Sequence, residues 1–180
     1  MADKKQAFAI WVTGLPASGK STIAKALASA LAARRLDAAV LESDVLRTIF
    51  TPNPRYDNEE REIFYRQLVY VGALLTKHGV PVIFDATANR RVYRDDARKQ
   101  IPEFLEVYVE CPLEICMSRD PKGVYQAGHE GKATIVPGLQ EPYEPPKNPD
   151  VVVRGESELP ETAAERIISK LIEKRLVARD

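Results

Sequence analysis

The stretch that most constrains this chain is Gly14-Leu15-Pro16-Ala17-Ser18-Gly19-Lys20-Ser21, which fits the pattern G-x4-G-K-S. It follows an apolar run, AFAIWVTG from Ala7 to Gly14. It precedes a helical pattern from Lys20 to Arg35, with Ile23, Leu27, Ala30 and Leu31 on one stripe. A glycine-rich turn between a strand and a helix is the setting of a phosphate-binding P-loop. Backbone N–H groups of the turn and of the helix N-terminus point at phosphate oxygens, and the glycines let the backbone approach closely. This assigns Gly14, Ala17, Ser18, Gly19, Lys20, Ser21 and Thr22 to a cradle for ATP. Lys20 is placed to reach the β- and γ-phosphates, and the Ser21 hydroxyl to ligate Mg²⁺.

Around that turn the chain reads as strands alternating with helices. Short apolar runs recur at Ala38 to Leu41, Pro81 to Asp85, Phe104 to Glu110 and Val151 to Val153. Helical patterns fill the intervals, including a long one from Asn58 to His78 with Ile63, Leu68, Val71, Leu74 and Leu75 facing inward and Gly79 stopping it. Asp44 is a candidate cap for a short helix through Phe50. Such alternation implies an α/β fold of three layers, a P-loop kinase architecture with a five-stranded parallel sheet covered by helices on both faces. Residues 119–150 break the pattern, being rich in Gly, Pro and charge, and read as a lid. At 180 residues the chain is expected to form one domain, 1–180.

Bulk properties exclude several function classes. Lys and Arg number 26, balancing 26 Asp and Glu, so the basic excess of a general nucleic-acid binder is absent. No apolar run approaches the ~20 residues a membrane span needs. MADKKQ leads straight into a strand and leaves no room for a signal peptide, so a cytoplasmic location is expected. Cys111 and Cys116 suit a reducing compartment and read as buried thiols. A GTPase would carry an N-K-x-D signature, which is absent, and a motor would need more chain. Transfer of phosphate from ATP to a small hydroxyl compound remains.

Such a transfer needs carboxylates near metal or acceptor, cations on the moving phosphoryl group, and exclusion of water. Ligands of this fold sit beyond the carboxyl ends of the strands. LESD places Glu42 and Asp44 there, and VIFDATANRR places Asp85 there. Asp44 is the first choice for the acceptor-side acid and Asp85 the second. Asp85 is expected to face the acceptor rather than ATP; its alternatives are a strand-end cap or a salt bridge to Arg90, Arg91 or Arg94. Arg47, Arg61 and Arg66 are candidates for the acceptor side, and Arg119 and Lys122 open the lid.

CPLEICMSRDPKGVYQAGHEG and PGLQEPYEPPKNPDVVV resemble the lid and C-terminal segment of the adenylylsulfate kinases, and IWVTGLPASGKST resembles their start. The similarity covers nearly the whole chain. It implies phosphorylation of the 3′-hydroxyl of adenosine 5′-phosphosulfate in sulfate assimilation, with ATP and Mg²⁺, a nucleotide acceptor, no membrane or nucleic-acid partner, and a possible homodimer. By position it carries over Lys20, Ser21, Arg119 and Lys122 on the ATP side. Asp44, Arg47, Tyr56, Arg61 and Arg66 fall on the acceptor side, with Lys122 and Tyr125 in the lid. Four family positions differ: an asparagine is Val45, another is Phe64, a lid lysine is Thr134, and a lid aromatic that would stack on the acceptor's adenine is Val136. The family's I-S-P after the third strand is replaced by DATANRR. D-A-T followed by arginines also resembles P-loop kinases that act on other hydroxyl compounds, so a different nucleotide or a sugar is the alternative acceptor.

Overall fold

The computed structural model describes residues 7–133 and 135–179. The MADKKQ leader and Thr134 lie outside the described residues. Five strands, β1 (Ala9–Thr13), β2 (Ala39–Glu42), β3 (Val82–Asp85), β4 (Phe104–Glu110) and β5 (Val151–Arg154), form one parallel sheet in the order β2-β3-β1-β4-β5. β1 is therefore central, with Ala9 in register with Val82 of β3 and Phe104 of β4. Its five residues, AIWVT, are all buried, as a strand covered on both faces requires.

Helices α1 (Lys20–Ala33) and α7 (Pro160–Glu173) cover one face. Ile10, Val12, Ile83, Leu105 and Val107 of the sheet pack there with Leu27, Leu31, Ile167 and Leu171. Helices α3 (Asn58–Lys77) and α4 (Arg91–Gln100) cover the other, where Trp11, Val82 and Phe84 meet Phe64, Leu68 and Tyr93. Three short helices complete the chain: α2 (Ser43–Phe50), α5 (Leu113–Arg119) and α6 (Val124–His129). The last lies inside the segment expected to be an irregular lid. Its Tyr125 joins Cys111, Cys116 and Val136 in a small third core beneath the lid. Both cysteines are free, and burial pushes the Cys116 thiol up to about 12, so it is inert at neutral pH. Among the described residues no helix is long and apolar enough to cross a membrane.

Two local expectations are corrected. Ile63 and Leu74 do not face inward; they are 44% and 45% exposed. The inner face of α3 carries Arg61, Phe64, Tyr65, Leu68, Val69, Gly72 and Thr76. Gly72 fixes that face, because a Cβ there would lie 2.1 Å from Cζ of Phe84. The helix thus approaches β3 more closely than any other residue would allow. Nor does Asp44 cap α2: Glu42 precedes the helix without a side-chain cap, and Asp44 sits within the first turn. Asp57 instead caps α3, its carboxylate accepting from the Glu60 N–H at 2.9 Å.

Candidate active site

The turn between β1 and α1 has the left-handed backbone that a cradle needs. Gly14 has φ 154° and Gly19 φ 106°, and Ala17 adopts φ 60° despite its Cβ. A Cβ on Gly14 would meet the Val109 carbonyl oxygen at 2.5 Å. Ser18 is fully buried and its Oγ has no partner, an unusual state for a hydroxyl and one that a phosphate oxygen would end. Lys20 is 9% exposed and donates to the Leu15 carbonyl at 2.8 Å, so its ammonium curls over the turn. Burial lowers its pKa, while Asp85 and Asp44 act to raise it. Thr22 is exposed on the first turn of α1.

Asp85 ends β3 beside Val12 and Glu42 in the sheet register, near enough to Ser21 and Lys20 for both to favour its charged form. Burial raises its pKa; Ser21 and Lys20 pull it down. Asp85 is thus close enough to Lys20 of the phosphate turn, and to Asp44, to interact with both. It does not pair with the nearby arginines. Arg94 goes to Glu106 at 2.8 Å, Arg90 to Glu62 at 3.2 Å, and Arg91 to Glu144 at 3.8 Å. Asp44 is instead 70% exposed at the side chain and accepts from Lys122 Nζ, which ties the start of α2 to the start of the lid. Both acids lie near enough to Lys20 to act on it.

The three helix arginines part company. Arg47 is buried, pairs with Glu60 at 2.8 Å, and lies 3.9 Å over the Phe64 ring and 5.0 Å from that of Tyr56. The other Glu60 oxygen accepts from the N–H groups of Arg55 and Tyr56. Tyr56 itself has φ 60° and is 45% exposed. Arg61 is also buried, but among the described residues it donates only to neutral oxygens: Tyr56 O at 2.8 Å, Asn89 Oδ1 at 3.0 Å and Ile135 O at 2.6 Å. Arg66 is not brought to this group. It is exposed in a separate groove of about 260 Å³ between α3 and α4, with Glu62, Arg90 and Asp96.

Arg119 donates to the Gly155 carbonyl at 2.8 Å. That turn presses on the cradle, since a Cβ on Gly155 would meet the Ser18 carbonyl oxygen at 2.3 Å. Tyr125 is 1% exposed and its hydroxyl donates to Pro16 O at 3.0 Å, so it props the cradle from below. Phe64 and Val136 are buried as well, and neither presents a surface to an acceptor.

Several residues of this region escaped the sequence reading. The loop after β3 is held by the Trp11 indole on Ala86 O at 3.0 Å, the Thr13 hydroxyl on Thr87 O at 2.6 Å and the Tyr65 hydroxyl on Ala88 N at 2.9 Å. Arg94 donates to Ala88 O and, at 2.6 Å, to Glu144 O in the returning lid. Asn89 and Glu60 complete the network. The only signal in the sequence was the run of polar residues in DATANRR.

A central β1, a phosphate turn with an unpartnered buried hydroxyl, and carboxylates at the ends of β2 and β3 define a P-loop phosphotransferase. Comparison with known proteins gives the particular kind. The adenylylsulphate kinase family model matches residues 6–154. The chain is 38% identical to the adenylyl-sulfate kinase of Microcystis aeruginosa, with 94% of each chain covered. It is 37% identical to a probable adenylyl-sulfate kinase of Pyrococcus abyssi, over 92% of this chain and 95% of that one. The APS kinase of Mycobacterium tuberculosis, solved with AMPPNP and APS, superposes with a TM-score of 0.87 at 32% identity, covering 93% of this chain and 98% of that one. The chain belongs to the adenylylsulfate kinase family.

Proposed function

We propose that this protein transfers the γ-phosphate of ATP to the 3′-hydroxyl of adenosine 5′-phosphosulfate. The observation that carries the reading is the match to the family over residues 6–154, which spans the cradle, both acids and the lid. The cradle N–H groups and Ser18 hold the phosphates. Lys20 leaves the Leu15 carbonyl for the β- and γ-phosphate oxygens, and Arg119 adds a second cation as the lid settles.

The Ser21 hydroxyl and the Asp85 carboxylate offer the hard oxygen donors that suit Mg²⁺, an ion that keeps several waters and uses few protein ligands. When bound, Mg²⁺ would supply positive charge that offsets the negative charge building on the phosphates during transfer. Asp85 thus serves the metal side. Asp44, once Lys122 turns to the phosphates, accepts the proton of the attacking 3′-hydroxyl as ADP leaves. Arg61 and Tyr56 address the acceptor. A cytoplasmic, single-domain protein that forms a homodimer belongs to the same reading, and light scattering tests the dimer.

The direct test is ADP release in the presence of ATP·Mg²⁺ and adenosine 5′-phosphosulfate, with other nucleotides and sugars in parallel. Turnover on the phosphosulfate above all others is expected. Turnover on a sugar or another nucleotide, with none on the phosphosulfate, overturns the acceptor.

A further inference from the structure

Two buried arginines, Arg47 of α2 and Arg61 of α3, both contact Tyr56, and their charges are handled differently. Arg47 is neutralised by Glu60 at 2.8 Å and stacked on Phe64. Arg61, 5% exposed, pairs with no carboxylate among the described residues; its three bonds go to two backbone carbonyls and the side-chain oxygen of Asn89. A buried cation without a counter-charge is costly, and such a charge is ordinarily paired. A guanidinium has five N–H donors, so one remains on each terminal nitrogen. Arg61 is thus the cation of the two that still lacks an anion.

Its aim is set by Asn89, which is 1% exposed. The amide accepts from Arg61 Nη1 at 3.0 Å and donates to Pro142 O at 3.3 Å, and the Asn89 carbonyl accepts from Glu144 N at 2.7 Å. Asn89 therefore joins the loop after β3, the α3 arginine and the returning lid through one side chain. Resting on the acceptor assigned above, we propose that Asn89 is a positioning residue for that acceptor. It holds Arg61 toward the anionic phosphosulfate and makes that aim depend on the seating of residues 142–144 of the lid. Arg47, in contrast, acts as a strut.

The test separates KM for the acceptor from KM for ATP in Asn89→Ala and Asn89→Asp. In Asn89→Ala the acceptor KM is expected to rise about tenfold, with kcat and the ATP KM within about threefold of wild type, the size of one lost bond to a charged group. Asn89→Asp keeps an oxygen for Arg61 but supplies the missing negative charge. It should hold or raise Tm while raising the acceptor KM at least as far as the alanine does. A purely structural role predicts the reverse, with the near-isosteric aspartate close to wild type in KM. An acceptor KM unchanged in folded Asn89→Asp, or both KM values rising together, overturns the proposal; if Asn89→Ala does not fold, the aspartate variant decides alone. Wild-type protein that turns over no phosphosulfate sinks the acceptor assignment and this role with it. Active wild type with an unmoved Asn89 series sinks only the role.

Discussion

The phosphate half and the acceptor half of this site are built by opposite means. The cradle is one contiguous turn, and its function lies in backbone N–H groups, two left-handed glycines and one lysine that bonds five residues away. The acceptor end is assembled by side chains that reach across the chain to carbonyl oxygens: Arg61 to Ile135, Asn89 to Pro142, Arg94 to Glu144. The first kind of site tolerates change around it, because its geometry is local. The second depends on several elements arriving together, so it is the half in which a family member diverges. Here Phe64 and Val136, at positions where the family has an asparagine and an aromatic, are both buried in support of the frame.

This contrast can be broken experimentally. The largest effect is expected from Arg47→Met, which strands Glu60 as a buried, unpaired carboxylate. Stability should fall by roughly 3–5 kcal/mol in chemical denaturation. At temperatures where the variant stays folded, ADP affinity should survive while acceptor binding is lost; ADP affinity lost in proportion would mean that the two halves are one unit. Lys20→Ala comes next, with kcat lowered by about two decades or more and Tm little changed. Asp44→Asn should act comparably on kcat. Near-normal turnover there, beside a collapse in Asp85→Asn, would give the acid role to Asp85.

Asp85 also predicts a pH signature. Its folded pKa is raised by burial, so on acidification the carboxylate is lost sooner than an exposed one. In the free enzyme, kcat/KM for ATP should fall about tenfold per pH unit below that raised value. A limb in the ordinary carboxylate range would instead mean that Asp85 is not required in its ionised form. The smallest effect is Lys122→Ala on stability. Its pair with Asp44 is mostly exposed, so Tm should move by the equivalent of about 1 kcal/mol or less, although turnover falls.

The same contrast explains what could be read in advance. The cradle, the five strands and the sheet's parallel sense were legible because contiguous motifs and apolar runs encode them. The face of α3 was not. Hydrophobicity alone favours Ile63 and Leu74, whereas close packing of Gly72 on Phe84 turns Arg61 and Thr76 inward. The same rotation leaves Arg66 in another groove. Asp85 was legible as an acid at a strand end, but its closeness to Lys20, 65 positions earlier in the sequence, was not. Asn89, Glu60 and Arg94 carry no motif at all; they act on partners that no spacing rule brings together.

The returning lid is gripped by its main chain. Arg61, Asn89, Arg91 and Arg94 hold the carbonyl groups of Ile135, Pro142, Pro145 and Glu144, and a carbonyl is the same whatever residue bears it. That part of the docking is indifferent to side-chain identity, whereas Val136, Tyr143 and Glu144 add anchors through their side chains. A segment seated this way can vary at the positions between those anchors while keeping its main-chain seat, so acceptor preference can shift there without rebuilding the catalytic floor beneath.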